Sequence, residues 1–189
     1  ESKYTKDLDL LISQTKRCSD ILKKISQKKI IHDEFLTEMT LEDLLEDIIK
    51  SFSESTKKKI LLNTDKDLNK INIKRKPELV YGLRNFIGNA NKFAKNTIFI
   101  NLKSDSEITE ITVEDDGDGY PRDIISKIGE PYLKSNYSKD KSKEGLGLGL
   151  FIGKTLLEKN FASINCRNSE VRSGAEITIK WKNSDLLKI

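Results

Sequence analysis

The sequence predicts an α+β fold: a two-layer α/β sandwich with one mixed sheet, helices on one face of it, and a separate helix in front. Three observations predict it. Residues 1–30 carry a narrow heptad seam with polar residues around it. From Lys59 onward, short alternating segments are interleaved with segments of helical period. No internal repeat divides the chain, so it reads as one domain-sized core and not as an array.

Length and composition agree with this. The 189 residues can hold one sizeable domain plus a small appendage. A hydrophobic content of 36% against 34% charged residues fits a globular protein with a heavily charged surface. The net charge is only +4, because 34 basic residues face 30 acidic ones. No Lys/Arg face stands clear of acids, which argues against nucleic acid as partner. There is no apolar run of membrane-spanning length and no signal peptide. The sequence starts at Glu1 and its sole methionine is Met39, so it is expected to be a piece of a longer protein. Any membrane contact is then expected through upstream segments. Cys18 and Cys166, far apart, make neither a disulfide framework nor a zinc site, and a reducing cytoplasm is the expected compartment.

In the first segment Leu8, Leu11, Thr15, Cys18, Leu22 and Ile25 follow 3-4-3-4-3 spacing, a helix whose narrow seam needs a partner helix. The linker from about Ser26 to Met39 is the expected domain boundary. Thr40 with Asp43 resembles a capping box for a helix that turns Leu41, Leu44, Leu45, Ile48, Ile49 and Phe52 inward. Ile60-Leu61-Leu62 and Ile71-Asn72-Ile73 are short strand candidates with a polar turn between them. Pro77 opens a long helix to Lys95, with Leu79, Val80, Leu83, Ile87, Ala90 and Phe93 on or near one face. Thr97–Lys103 and Ile108–Glu114 alternate as two strands joined by a Ser-Asp-Ser turn. A Gly/Asp loop, a polar segment from Lys134 to Lys143 and a glycine run follow, then a helix to about Lys159. Ala162–Arg167 and Ala175–Lys182 supply two closing strands.

Four constellations can carry chemistry. On the long helix, Asn85, Asn89 and Lys92 lie near one face. Such a face suits either plain solvation or a hard cation with a polyphosphate, the amide oxygen ligating Mg²⁺ and the lysine pairing with phosphate. Asp115-Asp116-Gly117-Asp118-Gly119 ends a strand; it fits an acidic turn, and an EF-hand is excluded because no Glu follows at the required spacing. Gly129-Glu130-Pro131-Tyr132 introduces the polar segment. Last, Gly145, Gly147 and Gly149 alternate with leucines and lead into Phe151-Ile152, a cradle for phosphate at a helix N-terminus.

The order and separations of these four resemble the ATP-binding domain of sensor histidine kinases, in the wider Bergerat fold group (GHKL) that includes gyrase, Hsp90 and MutL. The resemblance covers Thr37 to about Lys182, and residues 1–30 are similar to the second helix of that family's dimerisation hairpin. Arg17-Cys18, Gly129-Glu130-Pro131-Tyr132, Gly-Leu-Gly-Leu-Gly-Leu-Phe-Ile and Gly174-Ala175 with Trp181 further resemble the redox-responsive RegB/PrrB-type kinases. The resemblance implies a dimerisation helix with its linker at 1–36 and a catalytic ATP-binding domain at 37–189.

It also implies roles. Asn89 matches the Mg²⁺ ligand and Lys92 a phosphate contact, the two residues expected to be catalytic. Phe93 matches the aromatic ring packed on the base, and Asp115 the carboxylate that accepts from the adenine amino group. Gly117 and Gly119 let the backbone pass near the base. Lys134 matches a position that is often arginine, and loses the planar fork. Asn85 and the run Gly145, Leu146, Gly147, Leu148, Gly149 complete the nucleotide contacts, and the segment between Pro131 and Gly145 would be the ATP lid. The implied cofactors are ATP and Mg²⁺. The implied partners are a response-regulator receiver and a second copy of the chain, through the N-terminal hairpin, in a parent anchored at the inner membrane. Cys18 is either a small buried hydrophobe at the seam or a redox thiol.

Three departures bear on function. Gly174-Ala175 stands where most of the family has Gly-Thr, so a hydroxyl near the base is missing. The first hairpin helix with its phosphoacceptor is not in this sequence, and His32, followed by Asp33-Glu34-Phe35 and no nearby proline, reads as a linker histidine. ATP-hydrolysing relatives and anti-sigma serine kinases place a glutamate base four residues before the Mg²⁺ asparagine; here that residue is Asn85, which accepts no proton. A neutral imidazole acceptor needs no such base, so Asn85 favours transfer to histidine. An anti-sigma-type ATP-gated switch is the alternative, and a nucleotide-sensing dimerisation module without transfer chemistry is a third reading.

Overall fold

The computed structural model describes residues 38–65, 68–122, 124–131 and 148–189. The chain divides into units 1–37 and 38–189, and all the described residues belong to the second. The heptad helix, Cys18, His32, Tyr132, Lys134, Gly145, Leu146 and Gly147 lie outside the described residues.

The second unit opens with a short strand, β1 (Glu38–Thr40), which leads straight into α1 (Leu41–Ser53). The expected capping box is present: Thr40 Oγ1 accepts from Asp43 N–H at 3.1 Å, and Asp43 Oδ2 accepts from Thr40 N–H at 3.0 Å. Both satisfy donors that the first helical turn would otherwise leave unpaired. Leu41, Leu44, Leu45 and Ile48 are buried, and Ile49 and Phe52 pack at the margin of the core.

β2 (Lys59–Thr64) and β3 (Asn72–Lys74) match the two short strand candidates, but they belong to different sheets. β3 pairs antiparallel with β1, Met39 opposite Ile73, while β2 lies at the edge of the main sheet. That sheet adds β4 (Thr97–Ser104), β5 (Ile108–Asp115), β6 (Ser163–Asn168) and β7 (Ala175–Lys182) in the order β2-β4-β5-β7-β6. β2 runs parallel to β4 and the other pairs are antiparallel. A parallel neighbour requires a crossover, and α2 (Pro77–Phe93) lies within it between β2 and β4.

One face of the sheet carries Ile98, Ile100, Leu102, Ile111, Val113, Ile177, Ile179 and Trp181, all buried. Strand alternation puts most polar residues of the same strands on the other face, while Ser104, Thr109 and Asp115, at the strand ends, share the inward phase. Against the apolar face α2 sets Leu79, Leu83, Phe86, Ile87 and Ala90. α3 (Gly149–Glu158) packs on α2 where neither helix has room for a side chain. A Cβ on Gly82 would lie 2.6 Å from the Leu157 side chain, and one on Gly153 2.9 Å from the Phe86 ring. The close crossing brings the N-terminus of α3 beside Asn85 of α2: a Cβ on Gly149 would lie 3.6 Å from Asn85 Oδ1.

A last short helix, α4 (Asn183–Leu186), is tied to the β4–β5 hairpin by a buried polar network. Thr109 Oγ1 donates to Asn183 Oδ1 at 2.7 Å, Ser104 Oγ lies 2.7 Å from Thr109 Oγ1, and Asn183 Nδ2 donates to Asp105 O at 2.8 Å. The expected Ser-Asp-Ser turn is closed by Asp105 Oδ1, which accepts from Glu107 and Ile108 N–H. Thr109 is in phase with the inward Ile111 and Val113 and lies opposite Trp181, so the alternation of β5 turns its hydroxyl into the core. The network satisfies it, and so its burial is tolerated.

Candidate functional site

The two carboxylates at the end of β5 diverge. Asp116 turns back to the start of β4: its Oδ1 accepts from Lys95 N–H at 2.7 Å and Asn96 N–H at 2.9 Å, and its Oδ2 from Thr97 N–H at 3.1 Å. Partial burial raises its pKa, but these backbone donors together outweigh that and hold the carboxyl below the ordinary Asp range. Asp116 is therefore the structural member of the pair, fixing the connection from α2 into β4.

Asp115 is 2% exposed. Its Oδ1 accepts from Gly117 N–H at 2.8 Å and from Ala175 N–H at 3.3 Å, while Oδ2 has no partner among the described residues. Burial pushes its pKa up, and the two backbone donors only partly offset it. A buried carboxylate with one oxygen satisfied and the other open is a poised acceptor for a ligand's N–H.

The walls around it exclude side chains. A Cβ on Gly117 would stand 2.6 Å from Phe93 O and 2.7 Å from Asp115 Oδ1. A Cβ on Gly174 would stand 1.8 Å from Asp115 O, so the start of β7 can run against the end of β5 only as glycine. Gly119 adopts φ +74, a left-handed conformation that favours glycine. Behind it Asn168 at the end of β6 holds the next residue from both sides: its Oδ1 accepts from Tyr120 N–H at 2.6 Å and its Nδ2 donates to Tyr120 O at 3.0 Å.

The helical side of the site comes from α2. Asn85, Asn89 and Lys92 are all half-buried. Asn85 Nδ2 donates to Tyr81 O at 2.8 Å. Asn89 makes no side-chain hydrogen bond among the described residues, so its amide oxygen is open toward them. Lys92 Nζ stands 5.1 Å over the Phe93 ring, and Phe93 itself is 43% exposed rather than packed into the core face. α2 is thus the spine that joins the constellations: its C-terminal end touches Gly117 beside Asp115, and Asn85 sits beside Gly149 at the start of α3. Leu148 precedes that helix without a side-chain cap, which leaves the terminal N–H groups of α3 for other acceptors.

Three contributors escaped the sequence reading as site residues: Tyr120, Asn168 and the N–H of Ala175. Asn168 has a faint signal, being a polar residue in phase with the inward positions Ile164 and Cys166 of its strand. The other two depend on contacts between segments some fifty residues apart, for which the sequence carries no local mark.

Among the described residues no three His, Cys, Asp or Glu side chains gather as a metal site. The open amide of Asn89 nevertheless fits Mg²⁺, which commonly takes one or two protein oxygens and completes its shell with phosphate and water. Among the described residues no helix is long and apolar enough to cross a membrane.

The fold has relatives among known proteins. The sensor histidine kinase RegB of Cereibacter sphaeroides is 37% identical over 124 residues, covering 58% of this chain and 27% of that protein. The chain therefore spans about a quarter of the length of that relative. Among solved structures, the catalytic domain of the histidine kinase ThkA superposes with a TM-score of 0.64 at 22% identity, covering 78% of this chain and 97% of that one. The mycobacterial sensor histidine kinase MprB gives 0.65 at 16% identity, covering 77% and 97%. These two share the fold: a mixed five-stranded sheet with helices. The family model for histidine kinase-, DNA gyrase B- and HSP90-like ATPases matches residues 74–185, from the end of β3 through β7. The chain belongs to that family of ATP-binding domains.

Proposed function

We propose that this chain is the catalytic ATP-binding part of a two-component sensor histidine kinase, with residues 1–36 as the second helix and linker of a dimerisation hairpin and 37–189 as the catalytic unit. The observation that carries the reading is Asp115: buried, held by two backbone donors on one oxygen, open on the other, between glycines that admit no side chain. Likeness to relatives named sensor histidine kinases supports it.

In this reading Asp115 Oδ2 accepts from the adenine amino group, Phe93 covers the base, and Gly117 and Gly119 let the backbone lie against it. Lys92 and Lys134 pair with phosphate, and Asn85 and Gly145, Leu146, Gly147, Leu148 and Gly149 surround the phosphates. Asn89 holds Mg²⁺ through its amide oxygen, and the cation, when bound, offsets charge on the transferring phosphoryl group. Asn85 already donates to Tyr81 O and offers no base, so water is not activated; transfer goes to a neutral imidazole. That histidine lies upstream of this sequence, and a response-regulator aspartate takes the phosphoryl group from it. The parent acts as a homodimer through the hairpin and is anchored at the inner membrane, and Cys18 at the seam is the candidate redox thiol.

The test has two parts. Calorimetry with Mg-ADP should give clear binding for the 189-residue chain and losses of tenfold or more in Asn89→Asp and Asp115→Asn, about the worth of a charge-assisted contact. Wild-type affinity in both variants would remove the site. Labelled ATP should leave this chain unphosphorylated on its own but label the histidine of a separately made parental hairpin; acid-labile label on His32 would overturn the assignment.

A further inference from the structure

Tyr120 is 8% exposed, and among the described residues its Oη is the one side-chain nitrogen or oxygen closed off from solvent without a hydrogen-bond partner. Buried hydroxyls are almost always paired, because an unpaired one forfeits its hydration for nothing. Looseness of the segment does not account for it. Asn168 clamps the Tyr120 backbone on both sides, and Gly119 before it is locked at φ +74 with no room for a Cβ. The backbone that carries the ring is held in place, and the hydroxyl has no acceptor among the described residues.

Two titratable groups face it: the Cys166 thiol of β6 and the Asp115 carboxylate. Cys166 is a poor partner, since burial pushes its thiol up to about 11 and a protonated thiol is a weak acceptor. Asp115 has the opposite deficit, an Oδ2 with no donor among the described residues, yet the two groups do not bond each other. One short loop, 115–120, therefore presents a donor without an acceptor and an acceptor without a donor. A ligand edge carrying an N–H beside a ring nitrogen completes both, and a 6-aminopurine has that pattern on the N1 side and on the N7 side of its amino group. Burial also keeps the phenol protonated, its pKa lying well above the ordinary tyrosine value, so it remains a donor at neutral pH. The residue after Gly174, where a hydroxyl could have done this work, is Ala175.

We propose that Tyr120 is a specificity-determining residue of the nucleotide site, its Oη donating to a ring nitrogen of the adenine whose amino group Asp115 holds. This rests on the adenine-nucleotide reading of the Asp115 site.

The test is calorimetric titration of wild type, Tyr120→Phe and Asp115→Asn with Mg-ADP, and of the first two with 1-deaza-ADP and 7-deaza-ADP. Tyr120→Phe should lose about fivefold in ADP affinity, the net worth of one neutral hydrogen bond. One of the two deaza analogues should show the same loss on wild type and no further loss on Tyr120→Phe, as for partners in one bond. Without nucleotide, Tyr120→Phe should melt no lower than wild type, because the oxygen removed has no partner to lose. Unchanged ADP affinity in Tyr120→Phe, with normal wild-type binding and a weakened Asp115→Asn, would overturn this inference and leave the adenine site standing. An equal loss for ADP and both analogues, with a lower melting point, would assign the hydroxyl to the fold instead. A wild type that binds no ADP would remove both readings.

Discussion

Adjacent aspartates with opposite fates show how much of this molecule is decided residue by residue. Asp116 spends its charge on three backbone donors at the start of β4, so Asp116→Ala should destabilise the fold by about 1–2 kcal/mol, as removal of a helix cap does. Denaturant melts would measure this; nucleotide affinity, taken under conditions where both proteins are folded, should hardly move. A variant as stable as wild type would show that water replaces the carboxylate without cost. The resemblance singles out Asp115 within Asp115-Asp116-Gly117-Asp118-Gly119, but nothing in the residues themselves says which of the two carboxylates is buried. Which carboxylate is buried depends on where β5 ends and on how closely Gly174 of β7 approaches, a contact across some sixty residues. Tyr120 was illegible for the same reason, and the faint inward phase of Asn168 gains meaning only when the loop and the end of β6 are brought together.

At the level of elements, periodicity served well where an element packs along its whole length. α1, α2 and the β4–β5 hairpin match their expected positions because each repeats its apolar face several times. Three-residue strands repeat nothing, so the pairing of β3 with β1, in place of β2, could not be read. The α2–α3 crossing has no sequence signature beyond two isolated glycines. There Gly153→Val should destabilise by about 1–3 kcal/mol, since its side chain would meet Phe86 and the Gly82 carbonyl, 3.2 Å from even a Cβ. It should also weaken ADP binding by moving the start of α3 away from Asn85; unchanged affinity would mean that the crossing serves stability alone. The other end of α3 offers the opposite gain. Ala162 N–H donates to Leu157 O and Phe161 N–H to Glu158 O, a Schellman ending that puts Phe161 at the left-handed position with φ 64. Phe161 is 56% exposed, with Lys188 5.9 Å over its ring, so little packing opposes the strain. Phe161→Gly should therefore stabilise by about 0.5–1 kcal/mol, visible as a melting point raised by a few degrees. A lower melting point would show that the phenyl contact outweighs the strain.

For the molecule as a whole, the buried site carboxylate sets function against stability, and pH separates the two. Asp43, Asp105 and Asp116 have pKa values lowered by their hydrogen bonds, the first to the Thr40 side chain and the others to backbone N–H groups. For each, the stabilisation is present above the unfolded value near 4 and is lost as pH falls through the lower folded value. Asp115 runs the other way. Its folded pKa is raised by burial, so the native state takes up its proton before the unfolded chain does. Its relative contribution is largest below the unfolded value and is lost as pH rises through the folded one, leaving a buried charge that opposes folding at neutral pH. Asp115→Asn should therefore melt higher than wild type at pH 7 without nucleotide, and the gap should close as pH falls toward 4. Mg-ADP should reverse the order at pH 7, raising the wild-type melting point through binding to the native state and leaving the variant nearly unmoved. Wild-type affinity should itself decline toward acid pH as Asp115 gains its proton and ceases to be a pure acceptor. Melting curves of both proteins from pH 4.5 to 7.5, with and without Mg-ADP, test the whole scheme. A variant that melts below wild type at neutral pH without nucleotide would show that the two backbone donors on Oδ1 more than offset the burial of the charge, and the trade-off would be absent.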